Sequence, residues 1–265
     1  MTVAAHRSAG VTVKRSNPMK HRDQSPSLPK RARDMTVADR RQVIEQLGLG
    51  RDLNDATLTH LAENSVALDF GRRSFIYRAG DPPDSLFAIA KGRIKLSRIE
   101  QGTGREAVID ILSAGALFGE SALYSTGGPR ENFAIAYEQS RVLRIPAEVF
   151  QVGMTEDGQL HNYTFRLLGQ RLENAERRLA DFALNAIPAR LERLLAEFSE
   201  RYGVLESDGV LIDIPLPHRE IASIVGSTRE SVTVSLNAMR REGTIDFVRR
   251  RILIKRPQSR AASGN

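Results

Sequence analysis

The chain has 265 residues, of which 39 are Lys or Arg and 32 are Asp or Glu, so its formal net charge is +7 at pH 7. At roughly 100 to 200 residues per domain, this length is sufficient for two domains with separate cores. The absence of cysteine excludes disulfides, thiolate zinc sites, cysteine-ligated iron–sulfur clusters and thiol catalysis, and is typical of a cytoplasmic protein. The longest uncharged stretches, such as residues 111–119, span nine residues, whereas a transmembrane helix needs about 20. No membrane span is predicted.

Positive charge is concentrated at the two ends of the chain. Residues 1–34 hold eight basic and two acidic residues, whereas residues 35–185 hold 18 basic and 20 acidic residues. Residues 217–256 hold nine basic and four acidic residues. A polyanion is therefore the expected partner of the C-terminal part.

Residues 1–34 contain three prolines among Ser, Lys and Arg, and they show no hydrophobic period. This composition predicts a disordered basic tail, and residues 257–265 predict a second disordered tail. The first tail is either a solvated end or a basic arm that adds non-specific affinity for DNA. Because Met-Thr-Val-Ala occurs at residues 1–4 and again at 35–38, a further hypothesis is that translation can start at Met35.

Residues 35–153 contain short alternating runs that end at glycine turns. The clearest runs are residues 74–77, 86–89, 93–98 and 107–112. Turn signals about 8 to 12 residues apart predict a small antiparallel β-barrel or β-roll. Residues 102–104 (Gly-Thr-Gly) lie between two of these runs and are not followed by a helical pattern, so they predict a hairpin turn rather than a phosphate loop.

Residues 154–185 predict one long helix with an apolar stripe. The stripe keeps spacings of four and three residues over 22 residues and consists of His161, Phe165, Leu168, Leu172, Ala175, Leu179 and Phe182. Such a heptad pattern requires a partner helix. It favours a symmetric homodimer, with the residues from Phe165 to Phe182 as the seam, over docking of the helix on its own β-roll.

Residues 186–256 predict a DNA-binding domain. A helix begins near Pro188 and ends at Gly203, and its apolar face consists of Leu191, Leu194, Leu195, Phe198 and Tyr202. Two shorter helices then flank Gly226, which can take the left-handed conformation of a tight turn. Their expected shared core consists of Ile221, Ile224, Val232 and Leu236, with the small Ala222 where the helices cross. This pattern is that of a helix-turn-helix.

The second of these short helices carries the candidate DNA-contacting residues, because a recognition helix presents its N-terminal residues to base edges. The candidates are Ser227, Thr228, Arg229, Glu230 and Thr233. Arg229 can pair with O6 and N7 of guanine, and Glu230 can accept from N4 of cytosine, each pairing contributing about 1 to 3 kcal/mol of discrimination. Ser227 and Glu230 also have the spacing of a capping box, so Glu230 has two interpretations.

The chain after the recognition helix predicts a wing. Residues 244–248 and 252–254 read as two strands joined by Arg249, Arg250 and Arg251. A hairpin tip with three arginines suits contact with phosphates, which positions a protein on DNA without reading its sequence.

The order of β-roll, long helix and winged helix-turn-helix resembles the CRP/FNR superfamily of bacterial transcription regulators over about residues 60–255. The segments that carry the resemblance are residues 79–87, residues 115–123 with Pro129 and Arg130 after them, and the helix-turn-helix. The resemblance implies an α+β fold with an N-terminal antiparallel β-roll (double-stranded β-helix), a dimerisation helix and a C-terminal winged helix-turn-helix. It also implies a homodimer that binds double-stranded DNA at an inverted repeat and has RNA polymerase as a partner.

Cyclic-nucleotide-binding members of that superfamily have a phosphate-binding cassette, made by a Gly-Glu pair and an Arg ten residues after the Glu. Gly119, Glu120 and Arg130 match it. The resemblance implies that Glu120 would accept from a ribose hydroxyl and that Arg130 would pair with the phosphate.

Three departures from the superfamily pattern concern the ligand and the DNA site. Glu131 replaces a small hydroxyl residue, and a carboxylate near a phosphate costs about 1 kcal/mol if solvated and about 4 if shielded. Ala175 and Glu176 replace a hydroxyl pair that contacts adenine, and Val234 replaces a second base-reading arginine. These departures favour action without cAMP, or an unidentified ligand, over a cAMP response, and they predict an altered half-site.

Catalysis and metal binding are not predicted. The β-roll resembles a cupin barrel, but no histidine lies between His60 and His161, so a cluster of metal-binding histidines is absent there. The prediction is a homodimeric, sequence-specific transcription regulator that is not an enzyme. Two alternatives are a β-roll module that binds a small molecule without regulating genes, and a non-specific DNA-binding protein with steep salt dependence.

Overall fold

The computed structural model describes residues 30–32, 35–49, 52–124 and 128–256. The two predicted tails therefore lie almost entirely outside the described residues. The exception is strand β1 (Lys30–Arg31), which pairs antiparallel with Leu68 and Asp69 of the β-roll. Since Ala32 is also buried, this end of the N-terminal segment is part of the folded domain and not of a disordered tail.

Helices precede the β-roll, although the sequence pattern did not predict them. Helix α1 (Val37–Ile44) continues into a π-helical turn (Glu45–Leu49), and α2 (Asp55–Glu63) follows. Thr36 and Asp39 form a capping box at the start of α1. The helices pack against the roll in one core that includes Ile44, Leu58, Leu61, Leu143 and Phe150.

Antiparallel strands form the two sheets of the roll. The further strands are β2 (Val66–Phe70), β3 (Phe75–Tyr77), β4 (Ser85–Lys91), β5 (Arg93–Ile99), β6 (Glu106–Ser113), β7 (Leu117–Phe118), β8 (Phe133–Ala136) and β9 (Ser140–Pro146), with helix α3 (Ser121–Tyr124) between β7 and β8. One sheet has the order β1-β2-β9-β4-β7, and the other has the order β3-β8-β5-β6. Three of the four predicted runs lie within these strands, and the run 74–77 matches β3 except for its first residue, which confirms the β-roll.

The turn at residues 102–104 is a hairpin turn, as the sequence predicted. Strands β5 and β6 pair up to Ile99 and Glu106 on either side of it. Gly102 (φ 96°) and Gly104 (φ 68°) have the left-handed backbone that favours glycine. No helix follows the turn, because β6 continues directly from it.

The predicted long helix is interrupted near its start. Helix α4 (Ala147–Glu156) ends before Asp157, whose backbone is extended (φ −132°, ψ 105°), and α5 (Gly158–Leu184) begins after it. The carboxylate of Asp157 accepts from the backbone N–H of Gln159 and from that of Asn54, each at 2.9 Å. Asp157 therefore caps α5 and ties its start to α2, so the long helix begins at Gly158 instead of residue 154 or 155.

The C-terminal part is a winged helix-turn-helix. Its elements are α6 (Ile187–Tyr202), β10 (Gly203–Glu206), β11 (Gly209–Ile212), α7 (His218–Val225), α8 (Arg229–Arg241), β12 (Ile245–Val248) and β13 (Arg251–Lys255). The sheet has the order β10-β11-β13-β12. The five apolar residues predicted on the face of α6 and the four predicted between α7 and α8 are all buried.

Gly226 forms the turn between α7 and α8 in the left-handed conformation (φ 63°, ψ 51°). The Phe182 ring, near the end of α5, lies directly against it, and a Cβ at position 226 would overlap that ring. Glycine is thus required here by the backbone conformation and by the close approach of α5. The contact also joins the long helix to the helix-turn-helix of the same chain.

Candidate nucleic-acid interface and effector cassette

Thr228 caps the N-terminus of the recognition helix α8. Its backbone is extended (φ −87°, ψ 153°), and its hydroxyl accepts from the backbone N–H of Ser231 at 3.2 Å. The predicted capping box of Ser227 and Glu230 is wrong, because the helix starts one residue later and Ser231 takes the third helical position. The carboxylate of Glu230 takes no part in the cap, which leaves base contact as its interpretation.

The predicted base-contacting side chains differ in their exposure. Arg229 and Glu230 are exposed in the first turn of α8. Thr233 is partly buried: its hydroxyl donates to the carbonyl of Arg229 at 2.8 Å, and its oxygen lies 2.8 Å from Nδ1 of His218. Burial, followed by the positive charge of Arg229, lowers the pKa of His218, which favours the neutral imidazole. Thr233 therefore supports the first turn from inside.

Further side chains of α8 point in the same direction as Glu230. Val232 and Leu236 face the core and are fully buried. The exposed face opposite to them consists of Glu230, Val234, Asn237 and Arg241. The last three were not among the predicted contacts, which ended at Thr233. The spacing of four, three and four residues from Glu230 was the available signal, because it keeps side chains on one helix face.

The wing is the hairpin of β12 and β13. Its turn consists of Arg249 (φ 47°) and Arg250 (φ 67°), both exposed. Successive positive φ values are those of a type I′ turn, which favours Asn and Gly, so each arginine costs about 1–2 kcal/mol in backbone strain. The prediction that Arg251 also lies at the tip is wrong: it belongs to β13, and its guanidinium pairs with Asp213 at 3.0 Å.

The DNA-binding domain is docked on the β-roll through α7 and β6. Val108 and Ile111 of β6 belong to the same apolar cluster as the core of α6, α7 and α8. Lys95 of β5 pairs with Glu106 at 2.7 Å and with Glu220 of α7 at 3.0 Å. The two domains are therefore held by a shared apolar contact and by ion pairs beside it.

Asp110 of β6 connects the roll to both neighbouring helices. Its carboxylate, 12% exposed, pairs with Arg171 of α5 at 3.0 Å and with Arg201 of α6 at 2.8 Å. Arg201 also donates to the carbonyl of Ile111 at 2.5 Å. The Nε atom of Arg171 lies 3.4 Å from a carboxylate oxygen of Glu120. This chain of ion pairs runs from the predicted cassette to the DNA-binding domain.

The guanidinium of Arg130 is buried inside the roll, with the residue 3% exposed. It donates to the carbonyl of Ser85 at 2.6 Å, to the hydroxyl of Ser121 at 3.3 Å and to the carbonyl of Gly119 at 3.4 Å. It also stacks on Tyr77, with its Cζ atom 4.1 Å from the ring centre. Burial lowers the pKa of Arg130, although nearby acidic groups oppose the shift.

Both charged side chains of the cassette are engaged by other groups of the protein. Arg130 directs its guanidinium at protein oxygens, and Glu120 is engaged by Arg171. Glu131, next to Arg130, forms an ion pair with Arg98. A bound phosphate would have to replace the carbonyl contacts of Arg130 and bring its charge close to Glu131.

The predicted dimer seam lies along an exposed face of α5. Three apolar residues spaced by seven, Phe165, Leu172 and Leu179, are 69%, 60% and 70% exposed. Ala175 is exposed as well, whereas Leu168 is partly buried. Phe182, at the end of the seam, is 47% exposed because one side of its ring packs on Gly226. Most of the stripe is therefore exposed within one subunit, and the exceptions are Leu168 and one side of the Phe182 ring.

Two family models match the chain, one described as a cyclic nucleotide-binding domain over residues 67–157 and one as a Crp-like helix-turn-helix domain over residues 189–259. The global nitrogen regulator of Synechococcus elongatus is 30% identical over 190 residues, which cover 71% of this chain and 85% of that protein. The chain belongs to the CRP/FNR family of transcriptional regulators. This family membership confirms the resemblance that the sequence motifs indicated.

Other CRP/FNR-family proteins match over similar lengths. A "CRP-like cAMP-activated global transcriptional regulator" of Mycobacterium tuberculosis is 24% identical over 80% of this chain and 94% of that protein. A solved CRP/FNR-family regulator of Thermus thermophilus has a TM-score of 0.58 and 26% identity, covering 72% of this chain and 93% of that one. The c-di-GMP responsive regulator CLP of Xanthomonas campestris shares the fold, with a TM-score of 0.68 and 21% identity over 77% of this chain and 100% of that one.

This CRP/FNR-family protein is a DNA-binding regulator of transcription, and regulators of its family bind DNA as dimers. The prediction that it is not an enzyme is confirmed, because both matched domains and the named relatives are regulatory. Within the described residues, no helix is both long and apolar enough to cross a bilayer. The same part of the chain has no cluster of three or more His, Asp or Glu side chains suited to a metal ion.

Proposed function

We propose that this regulator acts as a homodimer that reads an inverted repeat in double-stranded DNA through the N-terminal turn of α8. The observation that carries the proposal is the exposure of Arg229 and Glu230 at a capped helix start. Arg229 pairs with guanine and Glu230 accepts from cytosine. Ser227 and Thr228 lie at the helix start, where hydroxyl and backbone N–H groups suit a phosphate. Thr233 holds the backbone of the first turn in place.

The homodimer is proposed to form along α5. The seam consists of Phe165, Leu168, Leu172, Ala175, Leu179 and Phe182. A two-fold axis along this seam would place two recognition helices about 34 Å apart, one turn of DNA, which is why the expected site is an inverted repeat. The hinge for changes in their spacing is residues 185–188, where α5 ends and α6 begins.

The separate roles of the recognition helix in base reading and of the wing in phosphate contact can be tested by two arginine substitutions. Arg229→Ala should reduce the preference for the wild-type half-site by about 1–3 kcal/mol, because a base contact is lost. Arg250→Ala should weaken binding to all sequences alike and lower the salt slope by about one per subunit, because a phosphate contact is lost. Fluorescence anisotropy with selected and random duplexes at several salt concentrations measures both quantities.

The control for these substitutions is Arg72→Ala, which removes an exposed arginine of the β-roll and should leave both quantities unchanged. An equal loss of preference in both arginine variants would contradict the assignment of separate roles. Steep salt dependence of the wild type without any preferred sequence would instead support the alternative of a non-specific DNA-binding protein.

We further propose that the regulator acts without cAMP. The support is the commitment of Arg130 to three protein oxygens, together with Glu131, Ala175 and Glu176 at positions where nucleotide-binding members have other residues. The relatives differ in this respect, since one is described as cAMP-activated and a structural neighbour as c-di-GMP responsive. The cassette of Gly119, Glu120 and Arg130 then has a structural role or serves another effector.

Isothermal titration with cAMP and cGMP should show no binding in the micromolar range. The physical reason is that a phosphate must displace the contact between Arg130 and Ser85, which has a length of 2.6 Å, at a buried site. Micromolar binding by the wild type that is lost in Arg130→Ala, with the variant still folded by circular dichroism, would overturn this proposal. Glu131→Ser serves as the sensitised variant, because it restores the hydroxyl of the nucleotide-binding pattern.

The remaining parts of the proposal concern partners, location and boundaries. RNA polymerase is a proposed partner and the bacterial cytoplasm is the proposed location, because a transcription regulator must meet both DNA and the polymerase. The proposed domains are an effector domain at residues 35–153, a dimerisation segment at 154–185 whose helix begins at Gly158, and a DNA-binding domain at 186–256. The predicted tails, residues 1–34 and 257–265, complete the division, except that residues 30–32 belong to the folded β-roll.

A further inference from the structure

Val234 is a large apolar residue in an unusual position on the recognition helix. It lies in the middle of α8 and is 67% exposed, directly opposite the buried Val232 and Leu236. Within the described residues, it belongs to none of the hydrophobic core clusters. A β-branched residue also has a lower helix propensity than the Ala, Lys or Glu that usually occupy such a solvent-facing position. Neither packing nor helix formation explains this valine.

The position of Val234 connects it to the proposed base-reading turn. It follows Glu230 by four residues and precedes Asn237 by three, so the three side chains form one stripe on the exposed face of α8. A helix that inserts Glu230 into the major groove brings the next residue of that stripe over the adjacent base pairs. Val234 is therefore placed to meet base edges and not solvent when DNA is bound.

The side chains around Val234 permit a close approach. The residues that flank the stripe beside Val234 are short, and they are Ser231, Thr233, Ser235 and Ala238. A valine reaches only two bonds from its Cα atom, so it can touch a base only if the longer Glu230 enters the groove and the flanking side chains do not hold the helix away. This local run of small residues lets the backbone of α8 lie deep in the groove.

We propose that Val234 reads a thymine in each half-site by packing on its C5-methyl group. This inference rests on the proposed function, since it assumes that α8 enters the major groove. Among the groups that the base pairs present there, the thymine methyl is the apolar one, whereas the others are hydrogen-bond donors and acceptors. A valine in this position favours thymine and disfavours any base that would leave a donor or acceptor facing its methyl groups.

The test uses deoxyuridine, which pairs as thymine does but lacks the C5-methyl group. The preferred inverted repeat is first selected from random DNA with the wild-type protein, and each thymine of the site is then replaced in turn. For the wild type, replacement of one particular thymine per half-site should weaken binding about fourfold per half-site, the factor expected for burial of one methyl group. Val234→Ala should bind the thymine site more weakly and lose the sensitivity to that replacement.

Two controls separate the contact from general effects of the substitution. Val204→Ala removes the same methyl groups from a valine that is 50% exposed in β10, away from α8, and it should keep the full sensitivity to deoxyuridine. Val234→Thr retains one methyl group and should keep part of the sensitivity. Analytical ultracentrifugation of Val234→Ala should show an unchanged oligomeric state, since a change there would assign Val234 to a protein contact instead.

The outcomes distinguish this inference from the proposed function. If no inverted repeat is selected, the proposed function is wrong, and so is the inference that rests on it. If a repeat is selected but the wild type and Val234→Ala respond alike to every deoxyuridine, the proposed function stands and the thymine contact is wrong. Non-additive losses for Val234→Ala and one thymine position, measured as a double-mutant cycle, support the contact.

Discussion

Replacing both Leu172 and Leu179 by aspartate should turn the protein into a monomer and lower its affinity for the inverted repeat about 10³-fold, to the level of binding to a single half-site. The two leucines are 60% and 70% exposed in one subunit, and their spacing of seven residues puts them on the same face of α5. In the proposed dimer they meet their counterparts, so four carboxylates would have to lose water inside an apolar seam. The monomeric variant contacts only one half-site, so the gain in affinity from binding two linked half-sites at once is lost.

Sedimentation equilibrium and binding to duplexes with one and two half-sites measure this effect. Ala180→Asp, which adds a carboxylate to an exposed position of α5 beside the seam, is the matched control and should remain dimeric. The double variant should also bind the single half-site as well as the wild-type subunit does, because α8 is unchanged. A dimeric double variant with full affinity would contradict the seam.

Replacing Asp110 by asparagine should lower the free energy of unfolding by about 2–4 kcal/mol and weaken the docking of the DNA-binding domain on the roll. Asp110 is the shared partner of Arg171 and Arg201, at 3.0 and 2.8 Å. An amide leaves the two guanidinium groups of α5 and α6 without this common counter-charge, and their repulsion acts directly across the domain boundary. This loss of stability is smaller than the loss expected when a fully buried ion pair is broken, because both arginines are partly exposed.

Calorimetry should show one unfolding transition for the wild type and a broader or divided transition for Asp110→Asn. Hydrogen exchange should increase at the amides of β6 and α7, which form the contact between the domains. Glu192→Gln, at an exposed position of α6, is the control and should change neither measurement. If the exchange rates at β6 and α7 stay as in the wild type, the ion pairs do not hold the domains together.

The repeating patterns in the chain predicted most of the fold. The alternating runs between glycines became the strands of the roll, and the apolar faces around α6, α7 and α8 became the core of the winged helix-turn-helix. Such patterns can be predicted from the sequence because burial of one face repeats every two residues in a strand and about every 3.6 residues in a helix. The turn at Gly226 could be predicted for a similar reason, since its left-handed conformation is a local requirement.

Several features of the candidate sites depended on contacts between distant residues. Asp157 ends α4 and caps α5 by accepting also from Asn54, 103 positions earlier. Arg251 was predicted at the wing tip but pairs with Asp213, and Arg130 was predicted to face a ligand but donates to Ser85. No local pattern reports which oxygen an arginine will reach.

The sequence by itself determined the architecture, the family and the helix that presents residues to DNA, because spacing, turn glycines and charge distribution are properties of neighbouring residues. The tertiary structure decided which polar side chains are available for binding. It directed Arg130 and Asp110 to partners within the protein, and it left Arg229, Glu230 and Val234 exposed. The physical reason is that a long polar side chain pairs with the nearest group in space, and folding sets that distance independently of separation along the chain.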